Sequence, residues 1–351
     1  MNLSALRRTV WCLALLLIAI LAFAYLPEGG YHLLKKYPFG AAEGSSREYF
    51  DYITVDSAAR RVYLSHGTEV KVIDADGGKL IGNISGLKQT HGVALASEFG
   101  RGFITDGGQG KVLIFDLETL KVVGEAKAAP DADSIVYDPA SKHVFSMNGG
   151  SKNSTVIDAK SGNLLGTVDL DGGPEFAVAD STGNVYVNIE DKGEVAAIDS
   201  STLKVKSRWP VAPAGGPTAL AIDTQHRRLF SSGREPAMLV VMDADNGKVI
   251  QSFPITAGAD ANVYEPETGL LFVSTRAGMI HIFHEDSPDK FSVVETLKTE
   301  FGAKTMGVDT KTHNLFVDTA DFGPAAAPTK EQPHPRPAPI LGTFHVLVYG
   351  R

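Results

Sequence analysis

Cysteine is almost missing from this sequence: among 351 residues there is only Cys12, inside an apolar N-terminal run. That excludes a disulfide framework, a thiolate nucleophile and a Cys-ligated metal centre from the body of the chain. Tryptophan is nearly as scarce, with Trp209 the sole one beyond that run. A quinoprotein dehydrogenase, which commonly stacks its cofactor on tryptophan and in some cases uses vicinal cysteines, is therefore discounted. No 3.6-residue periodicity is sustained over a helical length, which removes helical solenoids. HExxH and paired CxxC patterns are missing, and the Gly-rich TDGGQGK at 105–111 lacks a following helix, so it reads as a hairpin turn. Positive charge is in deficit, 33 Lys and Arg against 41 Asp and Glu, for a net charge of −8. Nucleic acid is a poor partner for such a chain.

What the sequence does have is alternation. From Arg60 to Gly82, RRVYLSHGTEVKVIDADGGKLIG, the runs RVYLS, EVKVID and KLIGNIS are separated by HGT and ADGG. A β-branched or aromatic residue at every second place gives each run one buried face, and glycine supplies the turn positions with φ > 0. The segment is a short antiparallel meander.

The meander repeats. Its aromatic recurs at Tyr63, Phe103, Phe145, Tyr186, Phe230, Phe272 and Phe316, at steps of 40, 42, 41, 44, 42 and 44 residues. The acid opening the outer turn keeps the same beat at Asp74, Asp116, Asp158, Asp199 and Asp243, until His284 and Gly350 take its place. A period in the low forties with four short strands per repeat predicts an all-β, seven-bladed β-propeller. The recurring Asp is structural, since its carboxylate can accept from backbone N–H groups two or three residues on.

Arg7 and Arg8, the apolar stretch from Val10 to Leu26 and the small-x-small triplet Ala22-Phe23-Ala24 predict a secretory signal peptide over 1–24. An uncleaved membrane anchor is the alternative. Either way the expected location is periplasmic or secreted, with the membrane touched only through an uncleaved leader, and the expected state is a monomer. Residues 25–351 read as one propeller. Tyr31 to Tyr37 aligns with the fourth strands of the repeats, and Thr343 to Tyr349 with the third, after which the chain stops. The N-terminal strand should therefore complete the last blade, closing the ring and removing free sheet edges. The blades run Tyr49–Leu87, Thr90–Ala128, Asp131–Leu170, Pro174–Val211, Pro217–Ile255, Asp260–Lys298 and Lys304–Arg351. Blade 6 departs in its turn HEDSPDKF, and His281, His284, Glu285 and Asp286 at its outer edge read as solvated. Blade 7 carries a Pro-rich insert at 319–342, an extended loop that cannot be a ladder strand.

The residue opening the first strand of each blade should face the channel mouth. It reads Asp51, His91, Asp133, Glu175, Thr218, Asp260 and Lys304, polar in all seven copies but different in identity. Loops joining second to third strands open on the same face and add His66, Asp106, Asn148, Arg234 and Arg276. The expectation is a polar funnel, acidic by its four carboxylates against one lysine and so attractive to cations or basic ligands, partly covered by the insert, with a small molecule or protein as partner. A water-filled channel also tolerates polar residues without a ligand. If a cofactor is present, it is a divalent metal ion, for which His91, Asp133, Glu175 and Asp260 offer nitrogen and oxygen ligands.

These features resemble the YVTN-repeat propellers, secreted bacterial proteins of the YncE type. The matching tetrads are Tyr63-Leu64-Ser65-His66, Phe103-Ile104-Thr105-Asp106, Tyr186-Val187-Asn188-Ile189 and Phe272-Val273-Ser274-Thr275, with segments such as VIDADGGKLIG. The resemblance implies the propeller fold and export, and carries no catalytic motif. Two functions compete: a non-catalytic binding or scaffold propeller, and a lactonase-like hydrolase that uses a metal or carboxylate in the same funnel.

Overall fold

Alternating burial sets the architecture. In each repeat the second and third strands are buried on both faces, while the fourth is largely exposed, so the strands stack from a packed hub to a solvated rim. The computed structural model describes residues 29–329 and 335–351. The signal-peptide reading falls on 1–24, outside the described residues. Contacts divide the chain into His32–Gly350, which holds every strand, and a second unit of which Gly29–Tyr31 and Arg351 are described.

Within His32–Gly350 there are seven four-stranded antiparallel sheets, each formed by sequence-consecutive strands except the last. Blade 1 comprises Phe50–Asp56, Arg61–His66, Glu69–Asp74 and Leu80–Ile84, and the next five repeat the pattern. The first strands of neighbouring blades touch around the hub, and that of blade 1 touches that of blade 7, so the ring is closed. The protein is a seven-bladed β-propeller.

The last blade is completed from the other end of the chain. His32–Pro38 pairs antiparallel with His345–Gly350, placing Leu33 opposite Tyr349 and Lys36 opposite Leu347. The repeating aromatics are all buried, filling the spaces between blades. The outer-turn acids do structural work: Asp74 accepts from the backbone N–H of Gly77 at 2.7 Å and Asp158 from that of Ser161 at 2.6 Å. Among the described residues no helix is long and apolar enough to cross a membrane.

Candidate functional site

The first strands of blades 1 to 6 share an irregularity that makes a site. Each pairs with its second strand through one extra residue, at Phe50/Ile53, Thr90/Val93, Ala132/Ile135, Pro174/Ala177, Pro217/Ala219 and Ala259/Ala261. Such a bulge breaks the ladder and re-aims a side chain. The residues released are those read from the sequence as the ring.

Six of the seven come together. Asp51, His91, Asp133, Glu175, Asp260 and Lys304 line a cavity of about 600 Å³ at the hub, joined by Arg234 and Arg276 from the following loops. Thr218 does not line it. Its short side chain is buried and donates to the Ala259 carbonyl at 2.8 Å, stapling blade 5 to blade 6. His66 is also outside the lining, stacked on Phe344 at 4.1 Å with its Nε2 2.5 Å from Glu48. Asp106 accepts from the N–H groups of Lys88 and Gln89, and Asn148 donates to Asn153 and Thr155. These four are buried and spend their polar groups on the frame.

Sequence reasoning missed several lining groups. Tyr49 lies just before the first strand of blade 1, and its hydroxyl lies 3.0 Å from Asp51 and 2.9 Å from His91 Nδ1. Phe301 and Phe322 form an edge-to-face pair at 5.0 Å on the rim, and Arg336, Pro337 and Pro339 of the insert close one side. The stem of the insert is pinned where the Gly323 N–H donates to Ala338 and the Ile340 N–H to Asp321. Glu48 takes the Gly342 N–H at 2.6 Å, tying the returning insert to the segment that crosses from the closing strand. No periodic signal in the sequence marks the rim aromatics.

The charges fall into two linked groups. On one side His91 Nδ1 stands 2.8 Å from Asp51 and 3.1 Å from Asp133. Burial opposes a charge on His91, but the bonds and charges of Asp133 and Asp51 outweigh it and push the imidazole up to about 10. On the other side Asp260 is met by Lys304 at 3.0 Å, Arg276 at 3.1 Å and Arg234 at 3.3 Å. Burial works against its carboxylate, yet these three cations hold it far below the ordinary range. Lys304 bridges the groups, reaching Asp51 at 3.0 Å. Glu175 is the exception: burial and the charge of Asp133 push its carboxyl up to about 9, with Arg234 as a partial counterweight 3.9 Å away.

The funnel is therefore balanced rather than acidic. Its lining has five carboxyl residues, Glu48 included, against Arg234, Arg276, Lys304, Arg336 and the charged His91. The first-strand residues alone are acid-rich, and the arginines of the next loops neutralise them. A metal would find a different set from the one expected: Asp51, His91 and Asp133 have ligand atoms within 4.8 Å of one another. Glu175 is turned toward Arg234 and Glu190, and Asp260 toward its three cations.

A buried acid kept neutral costs stability wherever the unfolded chain ionises. Replacing Glu175 by Gln is expected to stabilise the protein by about 1–3 kcal/mol at pH 7.5. Because the folded value lies above the unfolded one, the gain should vanish near pH 4, where both states are protonated. Urea unfolding at the two pH values measures it, and equal or lower stability of Glu175→Gln at pH 7.5 would contradict this account.

No family model matches the chain. Over 192 residues, 52% of this chain and 54% of theirs, it is 23% identical to the uncharacterized protein YncE of Salmonella typhi and of Salmonella typhimurium. This chain is similar to YncE. It spans about half the length of these relatives, so the likeness to YncE does not reach the whole of this ring. Among solved structures, a chain of the mitotic checkpoint complex superposes with a TM-score of 0.71 at 11% identity, covering 93% of this chain and 95% of that one. A chain of Kuenenia stuttgartiensis hydrazine synthase does so with a TM-score of 0.68 at 13% identity, covering 84% and 96%. These two likenesses show the fold alone.

Proposed function

We propose that this is an extracytoplasmic binding propeller that takes a small polar ligand with an anionic group into the hub funnel. The observation that carries the reading is Arg276, which lines the cavity with its buried Nε–H unmatched by any protein acceptor. A buried guanidinium donor without a partner is costly, and a carboxylate or phosphate is the ligand group its fork fits. Arg234 and Lys304 stand on the same side, while Tyr49 and the Asp51–His91–Asp133 cluster offer the other end of a ligand donors and acceptors, with Glu175 beside Arg234. The aromatic pair Phe301 and Phe322 supplies apolar contact at the rim. Export rests on the leader pattern of residues 1–24.

The test is a thermal-shift screen of small carboxylates, amino acids and phosphate esters, followed by calorimetry. Arg276→Ala is expected to weaken the best binder by at least about tenfold, the worth of a charge-assisted hydrogen bond. Binding that is unchanged in Arg276→Ala would sink the reading. For export, the secreted fraction should begin at Tyr25.

The hydrolase reading draws on one observation, the neutral carboxyl of Glu175, which could serve as a general acid at neutral pH. It requires ester or lactone hydrolysis that disappears in Glu175→Gln, with the fold retained.

A further inference from the structure

At three of the seven joints between neighbouring blades, on the face away from the funnel, the propeller uses the same staple. The acid near the end of one blade's first strand is met by a basic side chain from the next blade's first turn. Arg60 reaches Asp309 at 2.6 Å, Arg227 reaches Asp180 at 3.1 Å and His313 Nδ1 lies 2.7 Å from Glu265. Arg60, Arg227 and His313 all adopt the left-handed conformation, with φ of 57°, 56° and 60°. At the joint of blades 5 and 6 the same position, with φ of 66°, is Gly269, as it is Gly100, with φ of 63°, between blades 1 and 2, so Asp223 receives no such cation.

A second departure at this joint adds negative charge instead. In blades 1 to 5 the residue whose backbone N–H donates to the left-handed position is Ala75, Leu117, Ala159, Ser200 or Ala244, none of them ionisable. In blade 6 it is Glu285, bonded to the Gly269 carbonyl at 2.8 Å and buried. The turn HEDSPDKF thus delivers a carboxylate to the place where the joints of blades 7 and 1 and of blades 4 and 5 carry a guanidinium. His226, from the blade 5 turn, completes the set. Its Nδ1 lies 2.7 Å from Asp223 and 3.0 Å from Glu285 Oε1. Yet neither His226 Nδ1 nor Glu285 Oε1 has a partner in hydrogen-bond geometry, although both atoms are buried and the Glu285 side chain is only 3% exposed.

We propose that Asp223, His226 and Glu285 form a divalent metal site that replaces the missing basic staple between blades 5 and 6. Their three ligand atoms lie within 4.8 Å of one another. One imidazole nitrogen with two carboxylates suits Zn²⁺ or Mn²⁺. The carboxylates are oriented from behind, as ligands of a metal site generally are: the Tyr264 hydroxyl donates to Glu285 Oε2 at 2.5 Å, and the N–H groups of Gln225 and His226 donate to Asp223. The His226 ring is about one-third exposed, which leaves an entry path. The site is separate from the funnel, and a ligand-free funnel does not affect it.

The experiment uses the full-length chain, stripped with chelator and titrated with Zn²⁺ or Mn²⁺, read by calorimetry, elemental mass spectrometry and melting. One equivalent per chain and a rise of several degrees in the melting midpoint are expected. His226→Gln and Glu285→Gln, which keep size and polarity, should each weaken binding at least about tenfold. Funnel variant His91→Gln should leave it unchanged. Gly269→Arg supplies the guanidinium found at Arg60 and Arg227, which adopt the same left-handed backbone, and its Cβ meets no atom closer than 3.5 Å. It should raise the midpoint of the metal-free protein and abolish the metal-dependent rise. No rise in the unsubstituted protein, or one that survives in Glu285→Gln, His226→Gln or Gly269→Arg, overturns the proposal.

Discussion

Asp260→Ala should be the most damaging single substitution in the hub, lowering stability by about 3–5 kcal/mol at neutral pH. The carboxylate is buried and serves Lys304, Arg276 and Arg234 together, so its removal leaves three cations crowded around one space. The sign of the pH dependence follows from the shift. The folded value lies far below the unfolded one, so the stabilisation is complete above the unfolded carboxylate range, about pH 4. It is lost as pH falls through the folded value. Denaturant unfolding of Asp260→Ala and the unsubstituted protein should therefore differ by a constant amount from pH 5 to 7.5 and converge in strong acid. A difference that grows between pH 5 and 7.5 would place the effect on another group.

Removing residues 1–38 should have a still larger effect. The closing strand His32–Pro38 is the partner of His345–Gly350 along its whole length. Without it, blade 7 keeps three strands, and a central strand becomes an unpaired edge beside the first blade. The lost pairing and packing are comparable with the whole stability of a domain, about 5–15 kcal/mol, and the bare edge is a template for association. The truncated chain is expected to lose its cooperative melting transition and to aggregate, and a synthetic peptide spanning 29–40 should restore solubility in trans. A soluble truncated chain with an unchanged melting midpoint would show that the ring does not depend on this strand.

The scaffold was legible in the sequence because repetition averages over local ambiguity. The aromatics at Tyr63 through Phe316 and the turn acids keep one period, and each is held by the same backbone geometry in every copy. The ring of hub residues was legible for a related reason: an identical position filled differently in each blade is not explained by the frame. The exceptions are physical. Thr218 is short enough for the Ala259 carbonyl to capture its hydroxyl, and His66 is drawn under the insert by Glu48 and Phe344. The first-strand residues alone give an acidic funnel; Arg234 and Arg276 are legible at the mouth but belong to the loops, outside that sum, and Arg336 comes from the insert, where the repeat gives no register. Phe301 and Phe322 meet only in three dimensions, and Glu285 read as a solvated turn because nothing in its own blade shows that Asp223 of the preceding blade lies opposite.

The bulges at the hub also limit what kinship can transmit. Each contributes one side chain, and the next participant lies some forty residues further along the chain. A relative aligned over about half of the sequence, as YncE is, can share blades of the same build without sharing any complete set of hub groups. Descent of the framework and descent of the chemistry are separable in this architecture, and two propellers of one lineage can change ligands by exchanging single residues in separate blades while the disc around them stays the same.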